Sequence, residues 1–120
     1  LTQGIAWGMG VEGYVRSPTF VIITRYVGRL DIHHIDLYRI MDAREALELG
    51  LEEYLYGEEV CVVEWADRAA GLFPETALDI TLEYGTGEAQ RLITIESKDE
   101  SRRPLLDRLR EAVAGLARRT

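Results

Sequence analysis

A single cysteine, Cys61, among 120 residues rules out an internal disulfide, so the fold must rest on its core. That usage suits a reducing compartment, and the run Val60-Cys61-Val62-Val63 marks the thiol as a small apolar filler rather than a reactive group. Positive charge is scarce: 14 Lys and Arg face 21 Asp and Glu, a formal net charge of −7. A chain this acidic does not wrap nucleic acid through a general basic surface, so any RNA contact is local or supplied by a partner. No apolar run approaches a membrane-spanning length and no signal-peptide pattern is visible, which points to the cytoplasm. Internal repeats, linkers and low-complexity tracts are also missing. So is any G-x-x-x-x-G-K-S/T phosphate loop, and the chain opens on Leu1, not Met.

What is present is enough apolar material, 47% of residues, for a sizeable core in one domain spanning 1–120. Leu1, Ile5 and Met9 recur at helical spacing before Gly10, so the chain reads as beginning inside a helix. Ser17-Pro18 breaks the pattern. Phe20 to Val27 is β-branched and aromatic and reads as a strand, and Leu30 to Tyr38 as its antiparallel partner across Gly28. Asp42-Ala43-Arg44-Glu45 has the form of a capping box. It predicts a helix to a break near Gly50, with a further turn over Leu51 to Leu55. Val60 to Trp65 reads as a strand covered on both faces. Leu78 to Tyr84 and Arg91 to Glu96 predict a second hairpin around Gly85-Thr86-Gly87, and Leu106, Leu109, Val113 and Leu116 form one stripe of a last helix. The sum is an α/β layer structure, a mixed sheet carrying helices.

Three segments set a polar group at one end of an apolar run: Ser17-Pro18-Thr19-Phe20, His34-Ile35-Asp36-Leu37-Tyr38-Arg39 and Val63-Glu64-Trp65. Strand ends are where open α/β sheets hold ligands. Asp36 lies in an otherwise apolar strand, where a carboxylate needs a partner; an ion pair with Arg39 or Arg16 would serve as well as a ligand. Glu64 could hold Mg²⁺ or orient water, with the Trp65 indole walling a pocket, or the two could be an edge acid and a packing aromatic. The Thr19 hydroxyl could reach a phosphate or close a turn. His33 and His34 point to opposite faces of a strand, so they cannot share one metal, and the expected pair is one exposed and one hydrogen-bonded histidine. A hydrolase using His34, Asp36 and Glu64 on a transition metal is a third possibility. Gly8-Met9-Gly10-Val11-Glu12-Gly13 spells a dinucleotide fingerprint but ends a helix instead of following a strand, and is read as turn glycines.

Taken in order, Gln3-Gly4, Gly10, Arg16-Ser17-Pro18-Thr19-Phe20, His34-Ile35-Asp36-Leu37-Tyr38-Arg39, Glu45-Ala46-Leu47-Glu48-Leu49-Gly50 and Val63-Glu64-Trp65 resemble the bacterial TsaE (YjeE) family. That family comprises the ATPases of tRNA threonylcarbamoyladenosine biosynthesis. The similarity runs from Leu1 to about Ile95 and lies in the combination, not in any one piece. It implies a P-loop NTPase-like mixed sheet flanked by helices, here truncated at its N-terminus by one strand and the phosphate loop. It implies that Thr19 sits in a switch-like loop near the phosphates, that Asp36 is the acid needed for hydrolysis, that Glu64 is an acid at the Mg²⁺ site, and that Trp65 is the aromatic beside the nucleotide. Asp36 and Glu64 then share the metal and catalytic roles. The implied ligands are ATP or ADP with Mg²⁺, and the implied partners are the TsaB and TsaD proteins, with tRNA reached through that complex. Family members carry the G-x-x-x-x-G-K-T loop just before the segment aligned with Leu1. Without it, these 120 residues are expected to bind ATP poorly and not to turn it over. The alternative is a non-enzymatic, partner-binding module with a degenerate NTPase fold.

Overall fold

The computed structural model describes residues 1–14 and 23–119. The chain divides into two compact units, Leu1–Phe73 and Pro74–Thr120. The first contains helix α1 (Thr2–Gly8), strands β1 (Ile23–Tyr26) and β2 (Ile32–Asp36), helices α2 (Ala43–Glu48) and α3 (Leu51–Leu55), strand β3 (Val60–Glu64) and a 3₁₀ turn at Ala66–Ala69. The second contains β4 (Asp79–Tyr84), β5 (Arg91–Glu96), a 3₁₀ turn at Glu100–Arg102 and α4 (Arg103–Arg119). Among the described residues no helix is long and apolar enough to cross a membrane.

The first unit is built on a mixed sheet of order β1-β2-β3. β1 and β2 pair antiparallel, Ile23 opposite Ile35 and Tyr26 opposite Ile32, as the hairpin reading expects. β2 and β3 pair parallel, from Ile32 beside Val60 to Asp36 beside Glu64. A parallel pair needs a crossover, and α2 with α3 supplies it. Because side chains alternate along a strand, this register sorts the sheet into two faces. On one, Ile32, Tyr26, Val60 and Val62 pack with Ala6, Val11 and Met9 from α1 and the turn after it. On the other, Ile35 and Leu37 pack with Ile40, Ala46, Leu51 and Ala69, flanked by Ile23, Tyr54, Leu55, Cys61 and Val63. Helices therefore cover both faces of a mixed sheet, the α/β architecture expected.

Local chemistry explains the element ends. α1 closes in a Schellman motif: Gly10 N–H donates to the Trp7 carbonyl and Val11 N–H to the Ala6 carbonyl, with Gly10 left-handed at φ 83°. The glycine-rich stretch at 8–13 thus terminates a helix, as the reading of turn glycines expects. The face α1 buries differs from the expected stripe. Thr2 and Ala6 are buried while Leu1 is 57% exposed, because small side chains let the helix lie close to the sheet. The capping box at α2 forms. Glu45 N–H donates to Asp42 Oδ1 at 3.0 Å, and Glu45 Oε2 accepts from Met41 N–H at 3.0 Å. Gly50, left-handed at φ 79°, separates α2 from α3. β3 departs from expectation, being half-buried along its length, because within the described sheet it pairs on one side only. Its Cys61 thiol donates to the Tyr54 carbonyl at 2.9 Å.

The second unit holds the predicted hairpin, β4 and β5 antiparallel with Ile80 opposite Ile95 and Leu82 opposite Ile93. Helix α4 follows with Pro104 in its first turn, where the missing N–H costs nothing.

Candidate functional site

The parallel register carries Asp36 and Glu64 to adjacent positions where β2 and β3 end. Beyond them the two chains remain tied, Leu37 N–H donating to the Glu64 carbonyl at 3.1 Å. Residues paired side by side in a parallel sheet point to one face, so both carboxylates lie on the α1 side. His34, two residues before Asp36, shares that face and is 1% exposed. α1 approaches from above, and its buried Thr2 donates from Oγ1 to Glu64 Oε1 at 3.1 Å. The other carboxylate oxygen, Oε2, stands 3.1 Å from His34 Nε2. Asp36 makes no ion pair with Arg39 among the described residues. Its Oδ1 accepts instead from Tyr38 N–H at 2.9 Å, a turn bond that closes the strand end.

Trp65 follows Glu64 in a left-handed conformation, φ 60° and ψ 42°, the one non-glycine with positive φ among the described residues. For a bulky side chain this is strained backbone, of the order of 1–3 kcal/mol, and such strain gathers at functional positions. The geometry turns the indole outward, 52% exposed, against the Tyr38 ring at 4.9 Å between centroids. Arg68 lies 5.6 Å over the other aromatic of that pair, Tyr38. The result is an open aromatic platform beside two carboxylates.

Of the residues singled out from the sequence, Asp36, Glu64 and Trp65 come together, with His34 beneath them. Thr19 lies outside the described residues, as does Arg16. One expectation is corrected and one alternative falls away. Neither histidine is free at the surface: His34 is buried beside Glu64, and His33 is half-buried against Glu59 and the Tyr54 ring. Nor do His34, Asp36 and Glu64 make a transition-metal centre; among the described residues no group of three or more His, Cys, Asp or Glu is placed to hold a metal ion. The donors that are there, two carboxylates, suit Mg²⁺, which takes one or two protein carboxylates and completes its shell with water and substrate phosphates. Thr2 and Arg68 are not picked out by the sequence, and Tyr38 only as part of the segment His34 to Arg39. Thr2 meets Glu64 across 62 positions, and no local pattern reports such a contact.

The family model described as "Threonylcarbamoyl adenosine biosynthesis protein TsaE" matches residues 1–93. The tRNA threonylcarbamoyladenosine biosynthesis protein TsaE of Bacillus subtilis is 43% identical over 94 residues, covering 78% of this chain and 58% of its own length. The protein of the same name from Treponema pallidum is 37% identical over 93 residues, covering 78% of this chain and 68% of its own. The crystal structure of Bacillus subtilis YdiB superposes with a TM-score of 0.70 at 33% identity, covering 92% of this chain and 67% of that one. The chain thus spans between about half and two thirds of the relatives it matches.

Proposed function

Because the chain belongs to the TsaE family of threonylcarbamoyl adenosine biosynthesis proteins, we propose that the whole protein is a cytoplasmic, Mg²⁺-dependent ATPase of tRNA threonylcarbamoyladenosine biosynthesis. In this reading it works with the TsaB and TsaD proteins and meets tRNA through them. The single observation that carries the proposal is the pairing of Asp36 with Glu64 at neighbouring strand ends, beside the strained, outward-facing Trp65. Two carboxylates and an aromatic wall at the carboxyl edge of a parallel pair suit a nucleotide-metal complex.

Each residue then has a task. Mg²⁺, when bound, neutralises charge that develops on the transferring phosphoryl group. Glu64 supplies a carboxylate to the ion directly or through water. Asp36, its Oδ1 oriented by Tyr38 N–H, holds the second acidic position, where it orients water or the metal. Trp65 walls the nucleotide. This sequence contains no G-x-x-x-x-G-K-S/T loop to cradle phosphates, so the 120 residues alone are expected to show no turnover.

The test uses the whole protein with its TsaB and TsaD partners, measuring Mg²⁺-dependent release of phosphate and the modified nucleoside content of tRNA. Glu64→Gln and Asp36→Asn should each cut hydrolysis at least a hundredfold, about the loss seen when a group acting in the transition state is removed. If both variants hydrolyse ATP normally, the proposal fails. If hydrolysis is lost while tRNA modification in cells is untouched, the partner-binding alternative replaces it.

A further inference from the structure

Each carboxylate oxygen of Glu64 has a neighbour from a different element. Thr2 Oγ1 of α1 donates to Oε1, and His34 Nε2 of β2 stands 3.1 Å from Oε2. Both neighbours are buried, Thr2 at 9% and His34 at 1% exposure. A hydroxyl and an imidazole are costly to bury, and a core position would favour apolar residues unless these groups had work to do. His34 sharpens the point. The Glu64 oxygen lies at ion-pair distance but off the line of the ring N–H, and neither His34 nitrogen has a hydrogen-bond partner. The Tyr26 ring packs against the His34 ring with centroids 6.0 Å apart. The imidazole is therefore a buried polar ring lying against the Glu64 carboxylate.

We propose that Thr2 and His34 are positioning residues for Glu64, holding the rotation of its carboxylate from the two sides. The physical effect is preorganisation. A glutamate at a strand end rotates about three side-chain bonds, and a donor at one oxygen with a buried ring against the other restricts that freedom before any ligand arrives. Groups that orient a metal-binding or catalytic carboxylate change metal affinity or activity by about 10- to 100-fold when removed. The inference rests on the reading of Glu64 as the acid of the Mg²⁺-nucleotide site, and its test separates the two.

In the whole protein with its partners, Thr2→Val and His34→Leu keep size and remove the donor, whereas Thr2→Ser and His34→Gln keep a donor. The expected result is a fall in kcat of about 10-fold or more for the Val and Leu variants, with KM for ATP within about twofold of wild type, and recovery of most of the rate by Ser and Gln. A second readout needs neither metal nor nucleotide: in imidazole ¹⁵N spectra, Glu64→Gln should shift the His34 resonance and leave that of His33 in place. Wild-type kcat in the Val and Leu variants overturns the inference. So do Ser and Gln variants as impaired as Val and Leu, which would signal packing alone, or a His34 resonance indifferent to Glu64→Gln. Should His34→Leu fail to fold, the Thr2 pair and the spectra still decide. A wild-type protein without Mg²⁺-ATPase activity would instead overturn the proposed function, and the spectra would still report whether His34 and Glu64 are coupled.

Discussion

Adding one methyl group at Gly28 and at Gly4 should move stability in opposite directions. Gly28 lies in the turn between β1 and β2, where it meets the end of α1. A Cβ built there would stand 2.8 Å from the Met9 carbonyl oxygen, 2.8 Å from the Val11 nitrogen and 2.9 Å from the Gly10 carbonyl carbon. Ordinary contact begins near 3.4 Å, so backbone must yield by several tenths of an ångström. It cannot yield locally. Those atoms belong to the Schellman closure of α1, and Leu30 N–H donates to that same Met9 carbonyl at 3.3 Å. Overpacking against backbone of this kind costs about 1–3 kcal/mol. Gly4 sits exposed inside α1 with nothing within 4 Å of a built Cβ. There alanine removes glycine's excess unfolded-state freedom and gains about 0.5–1 kcal/mol. Urea unfolding of the whole protein, followed by far-UV circular dichroism, should give a lower midpoint for Gly28→Ala and a higher one for Gly4→Ala at unchanged slope. Equal shifts of the same sign, or a Gly28→Ala protein as stable as wild type, would refute the placement of the β1–β2 turn against α1.

Two further predictions concern single contacts. Asp42→Ala removes the acceptor for Glu45 N–H and should cost about 1 kcal/mol by the same urea assay, while Asp42→Asn should cost far less. The Glu59 carboxyl is held below the usual carboxylate range, first by its hydrogen bond from Arg25 and then by the Arg25 and His33 charges, against the opposing effect of burial. Its folded-state pKa is thus depressed, so the small stability it contributes is complete at neutral pH and lost as pH falls through and below that range. Arg25→Met should move the Glu59 titration upward in carboxyl ¹³C NMR spectra; an unmoved titration would show that Arg25 is not the cause.

Much of this fold was legible because its signals are local. The box Asp42-Ala43-Arg44-Glu45 announces α2, the β-branched and aromatic run announces β1, the short connection at Gly28 its partner β2 and the continuous apolar run β3, and Gly10 and Gly50 mark helix ends. Asp36 and Glu64 stood out as acids bounding apolar runs. The errors came from contacts between distant positions. The helical spacing of Leu1, Ile5 and Met9 suggests the buried face of α1, yet how close that helix approaches the sheet depends on Thr2 meeting Glu64 and on Ala6 packing with Ile32 and Val60. β3 read as fully covered because an apolar run does not say how many neighbours its strand will have. His34 read as an ordinary strand histidine because nothing adjacent to it in sequence reveals Glu64.

The sequence by itself determined the elements, the α/β class and the acids at the strand ends, since periodicity, capping and turn chemistry act over a few residues. Only the tertiary structure decided that Asp36 and Glu64 are side by side. That follows from the parallel register of β2 and β3, and a one-residue slip would have sent Glu64 to the opposite face. The same register places Glu64 between Thr2 and His34, groups 62 and 30 positions away.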